Sequence, residues 1–157
     1  MSKEYVYTND GRIISCALII QNSNGGILGE HPTGNQWGEN CFDLPKGCQE
    51  KGEDPLDSVI REVREESGLD FRQFRDQIID LGIHDYISEK VLHLFYFKYE
   101  IDDNTLQNLN CRSYFTDKDG IDKPEVDGYL IIYPDEKDLF YKAIQRVLNK
   151  LNLNGGK

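Results

Sequence analysis

Between Gly47 and Leu69 the chain reads Gly-Cys-Gln-Glu-Lys-Gly-Glu-Asp-Pro-Leu-Asp-Ser-Val-Ile-Arg-Glu-Val-Arg-Glu-Glu-Ser-Gly-Leu. This segment constrains the fold more than any other. Asp54 is a good helix N-cap, and Pro55 suits the first helical position, where its missing N–H costs nothing. Leu56, Val59, Ile60 and Val63 then recur at the spacing of one buried helical face. Gly68 is placed to end the helix in a left-handed conformation. The segment is therefore a helix with a glycine-bearing loop directly before it.

Residues three and four apart are neighbours on a helix, so Glu62, Glu65 and Glu66 converge beside the apolar stripe. Like charges at this spacing weaken a free helix by about 0.2–0.5 kcal/mol per pair. A bound divalent cation would reverse that penalty. Carboxylate oxygens suit hard cations such as Mg²⁺, which takes its remaining ligands from water and substrate phosphates. The pattern points to metal-assisted chemistry on a phosphate compound. Arg61 is placed to pair with Glu53 across the loop and hold the turn closed.

At 157 residues the chain has the size of a single domain, spanning 1–157 with loosely ordered ends at 1–11 and 152–157. A net charge of −10 argues against binding duplex nucleic acid through a basic surface. An acidic protein still accepts a nucleotide where metal ions and a few local cations neutralise the phosphates. Cys16, Cys41, Cys48 and Cys111 show no C-x-x-C spacing and read as free thiols of a reducing compartment. The N-terminus lacks the apolar core of a signal peptide, and the longest apolar run, around Ile13 to Ile20, is too short to span a bilayer. The expectation is a cytoplasmic protein with no membrane partner; the oligomeric state is not legible.

Ile13–Gln21 reads as a strand ending at the turn Asn22-Ser-Asn-Gly-Gly26, with Ile27 and Leu28 opening a short return strand. Gly29 to Asn40 reads as a surface loop and Cys41 to Leu44 as a short strand. Ile78–Ile87 and Val91–Ile101 are strands around Ser88-Glu-Lys90. Residues 102–124 read as a long irregular segment with an aromatic island at Tyr114 and Phe115. Val126–Tyr133 is a strand, and Pro134 opens a terminal helix with Leu139, Ala143, Ile144, Val147, Leu148 and Leu151 on its apolar face. This order suggests an α/β fold, a sheet sandwiched between helices.

The segment 47–69 resembles the Nudix box. Gly47, Glu53, Arg61, Glu62, Val63, Glu65, Glu66, Gly68 and Leu69 fill every position the box specifies. The resemblance implies the family's α/β/α sandwich around a mixed β-sheet, and a hydrolase that cuts pyrophosphate bonds with Mg²⁺ or Mn²⁺. It assigns metal binding to Glu62, Glu65 and Glu66, with a backbone carbonyl at Lys46 or Gly47 as a further ligand. Glu65 and Glu66 are then catalytic, Glu65 being a plausible general base. Glu125 is either a second ligand or base, or a solvated glutamate at a strand entry. Glu53, Arg61 and Gly68 are structural.

Leu44-Pro-Lys-Gly47 is similar to the diadenosine polyphosphate hydrolase subgroup, in which Lys46 would touch a phosphate and Tyr86 the base-binding region. Lys46 is otherwise an ordinary exposed lysine, and Tyr86 a half-buried strand residue. Trp37 either stacks on a base or covers the sheet, and Tyr114 and Phe115 pose the same alternatives. His31, His84 and His93 show no metal spacing. The implied substrate is a nucleoside diphosphate linked to another moiety, with a diadenosine polyphosphate as first choice. ADP-ribose, nucleotide sugars and nucleoside triphosphates stay open, as do a non-catalytic nucleotide sensor and an RNA cap-trimming enzyme.

Overall fold

The computed structural model describes residues 4–152. The expected loose ends therefore lie partly outside the described residues; within them, Tyr5 bridges Glu50 and Tyr7 bridges Ile13. The first half of the chain contains β1 (Ile13–Gln21), β2 (Ile27–Pro32), β3 (Lys46–Cys48) and α1 (Pro55–Ser67). After a 3₁₀ turn at Arg72–Gln77 come β4 (Ile79–Ile87), β5 (Lys90–Lys98), α2 (Asp103–Gln107) and the short strands β6 (Tyr114–Thr116) and β7 (Asp122–Pro124). The chain then adds β8 (Val126–Ile132), a 3₁₀ turn at Pro134–Leu139 and α3 (Lys142–Lys150).

Five strands line up as β4-β5-β1-β2-β8, with β3 pairing on β1. β1 and β5 run parallel, while β4–β5 and β2–β8 are antiparallel, so the sheet is mixed. Its central strand is buried on both faces. Cys16, Leu18 and Ile20 point to one side, where they meet Val59, Ile60 and Val63 of α1. Ala17 and Ile19 point to the other, where Ile144, Val147 and Leu148 of α3 cover them. Each such side chain contributes roughly 1.5–3 kcal/mol on burial. Three from α1 outweigh the few tenths lost per carboxylate pair on its other face. The helix therefore forms despite its charge pattern, and the α/β/α layering follows.

One irregularity builds the site. β1 and β2 pair only at Gln21↔Ile27 and then diverge. The chain from Asp43 to Cys48 fills the gap, exchanging two 2.8 Å backbone bonds with Glu30 on β2 before pairing with β1 from Ala17↔Lys46 onward. This wedge lays Lys46 and Gly47 beneath α1.

Several local expectations are corrected. Gly29–Pro32 is part of β2 rather than loop, because buried Glu30 and His31 break the apolar signature of a strand. Cys41–Leu44 forms isolated bridges at Phe42 and Asp43 instead of a strand. The segment 102–124 is not wholly irregular, since it contains α2 and the β6–β7 hairpin. The terminal helix is split: Phe140 is 1 % exposed, and Tyr141 N–H donates to Phe42 O at 2.8 Å, which pins the chain between the two helical pieces.

Candidate active site

The loop before α1 is closed by one guanidinium. Arg61 Nε and a terminal nitrogen donate to both oxygens of Glu53 at 2.7 and 3.1 Å. Glu53 in turn accepts from the Glu50 N–H at 3.2 Å, which clamps the turn. Burial pushes the Glu53 carboxyl up, but Arg61 and that N–H outweigh it and hold it below its ordinary value. Arg61 also reaches Glu62 at 2.9 Å, Glu65 at 3.3 Å and Glu50 at 3.4 Å. At the far end of α1, Gly68 is left-handed at φ 86° and its N–H donates to Arg64 O.

Glu62 and Glu66 lean on the wedge from α1. A Cβ on Gly47 would fall 2.0 Å from the Glu62 carboxyl carbon, so any larger residue there must displace the Glu62 carboxylate. Glu66 Oε1 accepts from Lys46 N–H at 3.1 Å. The Lys46 ammonium pairs with Asp43 at 3.1 Å and lies 5.5 Å above the ring of Tyr86. Burial, reinforced by neighbouring Glu65 and Glu125, pushes Glu62 up to about 7 against the opposing pull of Arg61. Burial and the facing carboxyl of Glu30 raise Glu66 well above the ordinary range. Glu30 is itself raised, chiefly by burial.

These groups line one cleft of about 400 Å³, which holds Lys46, Gly47, Glu62, Glu65, Glu66 and Glu125 together. Glu125 accepts from Ser113 Oγ at 2.5 Å. Tyr114, 61 % exposed, stands at the rim. Tyr86 is buried below Lys46 and does not line the cleft. Trp37 stacks on buried His31 at 3.6 Å, and Gly128 leaves room for its ring, so Trp37 covers the end of the sheet. His31 Nδ1 meets Asp127 at 2.5 Å.

Sequence reasoning missed Glu30. It lay inside a presumed loop, and nothing in linear spacing links it to Glu66, 36 positions later in the chain. A strand reading of Ile27–Pro32 would have placed Glu30 on the same face as Leu28, toward α1.

The donor set fits a hard divalent cation. Carboxylate oxygens dominate, the β3 backbone at Gly47 approaches them closely, and among the described residues buried Glu30 Oε2 has no donor other than the Glu66 carboxyl. Among the described residues no three acidic, histidine or cysteine side chains already close around one point. Arg61 draws Glu62 and Glu65 aside, while Lys46 N–H holds Glu66.

The family model described as the NUDIX domain matches residues 5–137. An uncharacterized 17.7 kDa protein from the e-segB intergenic region of Enterobacteria phage T4 is 32 % identical over 130 residues, covering 81 % of this chain and 83 % of its own. The MutT protein of Methanosarcina mazei has a similar structure, with TM-score 0.59 and 19 % identity over 100 % of this chain and 99 % of its own. A C. elegans Ap4A hydrolase, solved as a binary complex, gives TM-score 0.56 and 15 % identity over 88 % and 95 %. The two structural matches speak to the fold, and no helix among the described residues is long and apolar enough to cross a membrane. With its domain matched over most of its length, the chain belongs to the Nudix family and is a pyrophosphohydrolase.

Proposed function

We propose that this protein is a Mg²⁺- or Mn²⁺-dependent hydrolase of a nucleoside diphosphate linked to another moiety, with diadenosine polyphosphates as the first substrate. The charge balance of the cleft carries the reading. Among the described residues seven carboxylates line it, from Glu30, Asp43, Glu50, Glu62, Glu65, Glu66 and Glu125, against one lining cation, Lys46. A polyphosphate brings more negative charge to these walls, so its entry requires cations. A divalent ion bound by Glu62, Glu65, Glu66 and the Lys46 or Gly47 carbonyl would neutralise the pyrophosphate and acidify the attacking water.

The chain's own groups supply the rest. Lys46, steadied by Asp43 and Tyr86, has one ammonium to offer a terminal phosphate. Glu65, with a side chain 39 % exposed against 12 % for Glu62, takes the proton as water attacks phosphorus and the bridging P–O bond breaks. Glu125 is the second candidate for that proton. Arg61 and Glu53 hold the loop and helix in register. The motif Leu44-Pro-Lys-Gly47 supports diadenosine polyphosphates over ADP-ribose or nucleoside triphosphates.

The test is incubation with Mg²⁺ and a panel of diadenosine tetraphosphate, ADP-ribose, nucleotide sugars and triphosphates, followed by chromatography. One compound is expected to be cleaved, and Glu66→Gln to lower its rate by roughly 10²–10⁴-fold. Undiminished turnover in Glu66→Gln would overturn the site; nucleotide binding without cleavage of any compound would overturn the activity and favour a sensor.

A further inference from the structure

Glu30 occupies an unusual position for a carboxylate. Its backbone is fixed on both sides, by Asp43 of the wedge and by register with Tyr129 of β8. Its side chain points to the α1 face, as Leu28 does two residues earlier, and it is 2 % exposed. There it meets the Glu66 carboxyl, with Asp43 and Lys46 nearby. The Lys46 ammonium is engaged by Asp43, and the Lys46 N–H by Glu66. The Tyr129 hydroxyl is spent on the Glu66 backbone carbonyl. Glu30 shares a carboxyl–carboxylate hydrogen bond with Glu66, and among the described residues no N–H, amide or hydroxyl donor reaches its Oε2.

Two carboxyls held together by a strand and a helix on a cleft wall can face each other only by sharing a proton, and a cation would satisfy both, including the buried Glu30 oxygen that no other donor reaches. We propose that Glu30 is a direct ligand of a divalent cation, shared with Glu66, on the β2 wall of the cleft. The inference rests on the metal-dependent reading above and extends the metal site beyond the helix carboxylates. Two carboxylates plus water and phosphate oxygens make a sufficient set for Mg²⁺ or Mn²⁺. The wedge that splits β1 from β2 is what brings a strand carboxylate within reach of the helix.

The experiment is Mn²⁺ titration, with free Mn²⁺ read by electron paramagnetic resonance, on wild type, Glu30→Gln, Glu30→Asp and Glu66→Gln. Cooperative melting in chelator is checked for each variant. Glu30→Gln is expected to lose one bound Mn²⁺ or to weaken binding roughly tenfold or more. Glu30→Asp, which keeps the charge but shortens the reach, is expected to weaken it too. A Glu30→Gln isotherm that superimposes on wild type overturns the proposal. So does a weakened Glu30→Gln beside an unchanged Glu30→Asp, which shows an effect of charge without ligation. Where Glu30→Gln fails to melt cooperatively, Glu30→Asp alone decides by the same criterion. Weakening confined to Glu66→Gln removes Glu30 and leaves the Nudix metal site standing. Unchanged binding in both Glu30→Gln and Glu66→Gln overturns both.

Discussion

Gly47 shows how one atom can separate folding from function. Its requirement is space, since an added Cβ would meet the carboxylate end of Glu62. That end belongs to a flexible side chain, so Gly47→Ala is expected to cost about 1 kcal/mol or less in stability, while displacing Glu62. For a carboxylate proposed to hold the metal, a displacement of about 1 Å is expected to cost roughly 10²-fold in rate. Thermal denaturation beside steady-state kinetics checks this; a large loss of stability with normal turnover would contradict it. Glu30 carries the opposite lesson. A buried carboxylate oxygen without a partner costs about 1–3 kcal/mol, more when charged, so its retention needs a reason outside the fold. Gly47 was legible because it fills the first position of the Nudix box that the segment 47–69 resembles. Glu30 was not, because its relation to Glu66 exists only after β2 and α1 have packed.

At the scale of elements, α1 and its loop were legible because Asp54, Pro55, the apolar stripe and Gly68 all agree. The hydrogen bond from Leu56 N–H to Asp54 at 2.8 Å is the cap that the sequence implied. β2 was half hidden by its buried polar residues, and the split before α3 comes from a long-range bond to Phe42. Within the loop–helix unit, Arg61 is 24 % exposed and serves four carboxylates. Arg61→Ala leaves Glu53 and Glu62 without their cation and is expected to destabilise the metal-free protein by about 2–4 kcal/mol. Mg²⁺ should restore part of that loss by neutralising Glu62. Chemical denaturation with and without Mg²⁺ measures both; stability equal to wild type in chelator would remove Arg61 from this role.

Across the whole molecule the net charge is −10, and seven of the carboxylates line one cleft where Lys46 and, from behind the helix carboxylates, Arg61 offset only part of their charge. The fold bears this charge as a pH dependence. Glu62 titrates near 7 when folded against an ordinary value of 4.5, so the folded state holds its proton more tightly than the unfolded chain. Its contribution is complete below 4.5 and is lost as pH rises through 7, on the order of 3 kcal/mol for such a shift. Asp70, drawn down to about 2 by Arg72, acts only below its ordinary value and stays outside that window. Glu30, raised to about 8, and Glu66, raised well above the ordinary range, act in the same direction, so metal-free protein should lose stability from about pH 4.5 to 8, and Mg²⁺ should flatten that slope. Melting curves across this range check it, and an unchanged or rising midpoint in chelator would contradict it. The layered architecture was legible from the order of strands and helices, whereas the cleft depends on the divergence of β1 from β2, which no local pattern encodes.

The most direct test of the account is ³¹P NMR of diadenosine tetraphosphate with the protein, first in chelator and then on addition of Mg²⁺. The bridging-phosphate signals should persist in chelator and give way to those of two nucleotides only after Mg²⁺ is added. Cleavage that proceeds unchanged in chelator, or a Mg²⁺-loaded protein that binds the compound and leaves every pyrophosphate bond intact, would contradict it.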